Sequence, residues 1–130
     1  MKILIVDDDP IVLDSCRLVL EAEGFDVFAV PSAKKALDAM KNDHFDLLLI
    51  DVKMPGHNGM YLMGKVRERW PKIPMVVMSG YPTSDTIADG MKMGAAKFIA
   101  KPFTPDELLE IVRQVIQKEK SHEREKGPRD

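Results

Sequence analysis

The chain is almost free of cysteine. Among 130 residues only Cys16 is present, so no disulfide can form within it and a reducing cytoplasm is the expected setting. Long apolar runs are also missing, and none approaches the roughly 20 residues needed to span a bilayer. The opening Met1-Lys2, passing straight into Ile3-Leu4-Ile5-Val6, is too short for a signal peptide and reads as a first strand. Nor is there a basic excess. A formal net charge of -2 argues against a domain that binds nucleic acid by itself. No internal repeat, DNA-binding helix-turn-helix or catalytic output domain is recognisable within this length.

What is present is an ordinary globular balance, 45% hydrophobic and 31% charged, in a length suited to one domain that needs no metal or disulfide staple. Short apolar runs alternate regularly with longer amphipathic stretches. The runs are Ile3 to Val6, Val27 to Val30, Leu47 to Ile50, Met75 to Met78 and Phe98 to Ala100. Helical patterns lie near 11–23, 33–42, 60–70, 84–93 and 106–119. The runs at Ile3, Leu47 and Met75 are continuously apolar, as strands covered on both faces should be. The run at Val27, between Asp26 and Pro31, suits an edge. Asp9-Pro10 and Thr104-Pro105 are cap-plus-proline helix starts, Ser32 is a further N-cap, and Gly24 can end the first helix. Five βα units imply an α/β domain with a doubly wound, parallel five-stranded sheet, strand order 2-1-3-4-5 and right-handed crossovers. Residues 1–119 are expected to form this domain and 120–130 a charged tail or linker.

In such sheets ligands bind beyond the carboxyl ends of the strands. Asp7, Asp8 and Asp9 follow the first strand. Asp51 ends the third, Ser79-Gly80 the fourth and Lys101-Pro102 the fifth. Adjacent strands bring these ends to one pocket of carboxylates, a hydroxyl and an amine. Clustered carboxylates repel one another unless a cation is present, and an all-oxygen donor set suits Mg²⁺. A carboxylate can also act as a nucleophile toward a phosphoryl group. Capping requires one carboxylate, so Asp9 reads as a cap and Asp7 and Asp8 as more than that.

Four segments carry a family resemblance: Ile3 through Pro10, Asp51 through Gly59, Met78-Ser79-Gly80, and Phe98 through Phe103. In that order and spacing, over residues 2 to about 118, the chain resembles the receiver domains of two-component response regulators (the CheY-like superfamily). The resemblance implies that Asp51 is the phosphoacceptor. It gives Asp8 and Asp51 direct bonds to Mg²⁺ (or Mn²⁺), Asp7 a water-mediated one, and Lys53 a backbone carbonyl to the metal. Ser79 would hydrogen-bond one phosphoryl oxygen and Lys101 pair with another. Ser79 and Phe98 would form the switch, Lys53 and Tyr81 would tune dephosphorylation, and Lys101-Pro102 would be cis. The implied partners are a sensor histidine kinase or phosphotransfer protein, docking near the first helix and the loop before the fourth. An output domain or protein partner would bind at the fourth helix, fifth strand and fifth helix, with a phosphorylation-dependent homodimer as a further use of that surface. No direct nucleic-acid or membrane binding is implied. Phe98 through Phe103 looks more like receivers of σ54-type activators or hybrid kinases than like those of winged-helix DNA-binding regulators.

Departures from the family are modest: serine for the commoner threonine at Ser79, Asn58 for a frequent aspartate, Phe98 for tyrosine. The competing enzyme reading is a phosphohydrolase of the haloacid dehalogenase type, whose Asp-x-Asp signature Asp7-Asp8-Asp9 happens to satisfy. That class needs a late acidic pair, and the late strand ends here carry none. A flavodoxin-like cofactor binder would need a phosphate loop where this chain has three aspartates. Cys16 reads as core and the methionines as packing, with Met91 and Met93 on the fourth helix available for an interface. His44, His57 and His122 lack metal-ligand spacing.

Overall fold

Alternate residues of a strand face opposite ways, so a strand apolar at every position must be covered on both sides. That condition is met by a three-layer arrangement in the computed structural model, which describes residues 1–52, 59–80 and 84–125, the side chains of 84–86 and 120–125 excepted. The elements are β1 (Lys2–Val6), α1 (Pro10–Ala22), β2 (Asp26–Val30), α2 (Ala33–Asn42), β3 (Leu47–Asp51), α3 (Gly59–Arg69), β4 (Met75–Ser79), α4 (Ser84–Lys92), β5 (Lys97–Ala100) and α5 (Pro105–Glu125). The sheet is parallel throughout, in the order β2-β1-β3-β4-β5.

One core forms where Leu4, Val6, Leu48, Ile50 and Val77 meet Ala36, Met40, Leu62, Met63 and Val66 of α2 and α3. The other forms where Ile3, Ile5, Leu49, Val76 and Met78 meet Cys16, Leu20, Leu108, Val112 and Val115 of α1 and α5. Each fully buried Leu or Ile is worth about 1.5–3 kcal/mol. β2 is an edge strand in which only Val27 is buried.

Local chemistry places the helix ends. Asp9 holds an extended backbone and accepts the Ile11 N–H at 2.9 Å, with Pro10 following. Ser32 accepts the Lys35 N–H at 3.2 Å. Thr104 and Glu107 bond reciprocally, Glu107 N–H to Thr104 Oγ1 at 3.1 Å and Thr104 N–H to Glu107 Oε1 at 3.0 Å. This capping box adds to the proline signal read from sequence. Gly24, at φ +92°, closes α1.

Two details differ from the sequence reading. α4 ends at Lys92, so Met93 lies beyond the helix and packs against the α2–α3 core instead of pairing with the exposed Met91. α5 continues to Glu125, past the helix end expected near 119.

Candidate functional site

Strand register builds the site. Val6 pairs with Ile50 and Ser79 with Ala100, so Asp7, Asp51, Ser79 and Lys101 stand at one edge of the sheet. Asp7 and Ser79 are wholly buried and Asp51 nearly so, whereas Asp8 is exposed.

Both carboxylate oxygens of Asp7 are engaged. Oδ1 accepts the Asp9 N–H at 2.9 Å, and Oδ2 accepts from Lys101 Nζ at 2.6 Å. The same ammonium lies 3.4 Å from Asp51 Oδ2. The Ser79 carbonyl accepts the Lys101 N–H at 2.7 Å, which ties the ends of β4 and β5 together. The Lys101–Pro102 bond is cis.

Asp51 is held from the other side by Gly59. The Gly59 N–H donates to the Val52 carbonyl at 3.1 Å. A Cβ at Gly59 would come within 2.3 Å of the Asp51 carbonyl oxygen and 2.7 Å of Val52 Cα. Only glycine lets α3 start this close to the Asp51 backbone. In the sequence Gly59 closes the segment that begins at Asp51, but the close backbone approach that demands a glycine there has no local signature.

Carboxylate oxygens of Asp7, Asp8 and Asp51 lie within 4.8 Å of one another. This all-oxygen donor set fits a hard divalent cation. Among the described residues one ammonium, Lys101, stands against these three carboxylates. Burial pulls the Lys101 pKa down, but the hydrogen bond and charge of Asp7, and then those of Asp51, outweigh it and hold it above the ordinary lysine value. Lys101 is therefore a fixed positive charge, not a proton donor at neutral pH. Sequence reading had set it against an incoming phosphoryl group and had missed its bond to Asp7.

Phe98 is half-buried on β5. Its ring atoms Cε2 and Cδ2 lie 3.6 and 3.8 Å from where a Gly90 Cβ would be. Lys53 and Tyr81, together with His57 and Asn58, lie outside the described residues, as does the side chain of His122. Cys16 is buried and its thiol is pushed up to about 11, by burial first and then by the Asp7 charge. His44 is exposed and bonded to Asp46. A groove at the opposite, amino-terminal ends of the strands, near Phe45, Trp70 and Pro74, shares no residue with this site.

A parallel sheet in 2-1-3-4-5 order, with acidic residues and a lysine at its carboxyl edge, is the arrangement of one signalling family. The family profile "Response regulator receiver domain" matches residues 3–113. The chain belongs to this family. It is 36% identical over 111 residues to the response regulator protein FleR of Pseudomonas aeruginosa, covering 85% of this chain and 24% of FleR. It thus spans about a quarter of that relative's length. A 14.6 kDa protein of Leptolyngbya boryana is 36% identical over 116 residues, 88% of each chain. Among solved structures, a CheY-like response regulator receiver domain protein of Methanospirillum hungatei superposes with a TM-score of 0.89 at 32% identity, covering 93% of this chain and 97% of that one. The phosphohydrolase alternative finds no support among these matches. Among the described residues no helix is long and apolar enough to cross a membrane.

Proposed function

We propose that Asp51 accepts a phosphoryl group from the phosphohistidine of a sensor histidine kinase or phosphotransfer protein. The observation that carries this reading is the joining of Asp7, Asp8 and Asp51 in one oxygen cluster beside Lys101. An Asp51 carboxylate oxygen attacks phosphorus in line and forms a P–O bond as the donor's P–N bond breaks. The electron pair leaves on the imidazole nitrogen, which takes a proton from solvent. Asp8 and Asp51 directly, Asp7 through water and the Lys53 carbonyl would hold Mg²⁺ or Mn²⁺. The bound ion would neutralise charge on the transferring phosphoryl oxygens. Lys101, already protonated, pairs with one phosphoryl oxygen, and the Ser79 hydroxyl donates to another.

Phosphorylation draws Ser79 toward the new charge and Phe98 inward, which changes the surface of α4, β5 and α5. Lys53 and Tyr81 tune the lifetime of the acyl phosphate. The catalysis is limited to the domain's own phosphorylation and dephosphorylation. Residues 1–119 act as the receiver and 120–130 as a charged tail or linker. The α4-β5-α5 surface engages an output domain, a partner protein or a second copy. The donor docks on α1, where Ile11 and Leu18, two turns apart, are 74% and 70% exposed.

The test uses beryllofluoride, a phosphoryl mimic. Fluorine NMR should show a bound species in the presence of Mg²⁺, none with chelator and none with Asp51→Asn. Binding independent of Mg²⁺ would overturn the scheme.

A further inference from the structure

The corner where α4 ends is fastened to α3 by a contact that the phosphoacceptor site does not require. Arg67 Nη2 donates to the Gly94 carbonyl at 2.7 Å, and Nη1 donates to the Pro71 carbonyl. Gly94 has φ +94°, and a Cβ there would come within 2.6 Å of Arg67 Nε and 2.7 Å of Nη2. The guanidinium therefore occupies the space a side chain at position 94 would need. One turn earlier on α3, a Cβ at Gly64 would lie 3.1 Å from the Met93 methyl. The Ala96 N–H donates to the Met75 carbonyl at 2.7 Å, tying the same corner to β4. Arg67 Nε is buried and has no hydrogen-bond partner among the described residues. Leaving a donor unpaired is unfavourable, so the fork is held in place by its two carbonyl bonds and by packing.

The underside of α4 is different. At Gly90 its bare backbone faces the Phe98 ring and Val77 with room to spare: an added Cβ would lie 3.6 Å from Phe98 Cε2 and 3.8 Å from Val77 Cγ2, ordinary contact distances. Among the described side chains of α4 only Gly90 is buried, so at that point the helix can shift over the ring without a side chain having to leave a slot. Ile87 and Met91 face outward.

The geometry points to Arg67 as a positioning residue that pins the carboxyl end of α4, so that α4 moves as a lever about the Met93–Gly94 corner. This rests on the reading that phosphorylation of Asp51 pulls the Ser79 side of the site. A pinned far end converts a small pull near Ser79 into rotation of the Ile87–Met91 face, where an unpinned helix would slide as a whole.

Methyl-labelled methionine NMR reads both ends at once. On adding Mg²⁺ and beryllofluoride to the wild-type chain, the Met91 methyl should shift and the Met93 methyl should stay. In Arg67→Lys, which keeps the charge but loses the fork, Met93 should shift as well and the Met91 displacement should shrink. A purely structural role would lower stability in Arg67→Lys and leave this pattern alone. Met93 moving as far as Met91 in the wild type, or an unchanged pattern in Arg67→Lys, would overturn the proposal. Beryllofluoride binding is read separately by fluorine NMR, so its failure would count against the phosphoacceptor reading. The anchor is then judged in the free protein by amide exchange. Arg67→Lys should speed exchange at Gly94 to Ala96 roughly tenfold, about the worth of one net hydrogen bond. Unaltered exchange there would refute the anchor.

Discussion

Neutralising Asp51 should stabilise the protein when no divalent cation is present. Asp51 is 5% exposed and lies within 4.8 Å of the Asp7 carboxylate and 3.4 Å from the Lys101 ammonium. At an effective dielectric of about 20, repulsion by Asp7 costs about 3.5 kcal/mol and attraction by Lys101 returns about 5 kcal/mol. That small surplus must cover the loss of water around a buried carboxylate, which costs several kcal/mol, and the further repulsion of Asp8. Asparagine removes the desolvation and both repulsions, and its oxygen can still accept from Lys101, which keeps its bond to Asp7. Asp51→Asn should therefore gain about 1–2 kcal/mol in chelator, a rise in midpoint of about 3–8 °C for a domain of this size. Thermal or urea unfolding followed by circular dichroism measures it. Saturating Mg²⁺ should reverse the order, because a cation held at a hundred times its Kd adds about 2.7 kcal/mol to the wild type. An Asp51→Asn protein less stable than wild type in chelator would refute the picture of an acidic cluster awaiting a cation.

Gly59→Ala places a methyl 2.3 Å from the Asp51 carbonyl oxygen and 2.7 Å from Val52 Cα, both backbone atoms. It should cost about 3 kcal/mol and weaken Mg²⁺-dependent beryllofluoride binding; a urea midpoint unchanged from wild type would contradict the close approach. Cys16, buried with its thiol raised to about 11, should react with a thiol reagent at mildly alkaline pH only as fast as the protein opens, and at once in urea. Prompt native-state reaction would show that it is accessible. At Asp46, burial pushes the carboxyl pKa up, but the Lys2 backbone N–H at 2.8 Å and His44 at 3.1 Å more than offset it and hold it below the usual range. A depressed folded value means stability fully present above the unfolded pKa of about 3.9 and lost as pH falls through the folded one. Asp46→Asn should flatten the acid limb of the stability curve, and a slope equal to wild type would show that the carboxylate is not so held.

The fold was legible because its signals are local and agree. Continuous apolar runs mark β1, β3 and β4 as covered on both faces, and Asp9-Pro10 and Thr104-Pro105 mark where α1 and α5 begin. The site was legible because strand order alone brings Asp7, Asp51, Ser79 and Lys101 to one edge. What sequence did not reveal depends on distances between segments remote in the chain. Lys101 sits closer to Asp7 than to Asp51, and no spacing rule decides that. The partners of Arg67 are main-chain carbonyls, which every residue carries, so nothing in the side-chain pattern announces the clamp on Gly94. Met93 reads from sequence as part of the same helix as Met91, and only the positive φ at Gly94 shows why the helix stops at Lys92, before Met93 packs inward. Beyond Ile116 the α5 sequence has no apolar stripe, so composition offered no reason to extend the helix to Glu125. Lys53 and Tyr81 fall outside the described residues.

The central claim is tested most directly by locating the phosphoryl group. The protein is incubated with Mg²⁺ and acetyl phosphate, the acyl phosphate is reduced with borohydride, and the digest is mapped by mass spectrometry. The account predicts modification at Asp51 alone, lost with chelator; a label on Asp7 or Asp8, or full labelling of Asp51→Asn, would contradict it.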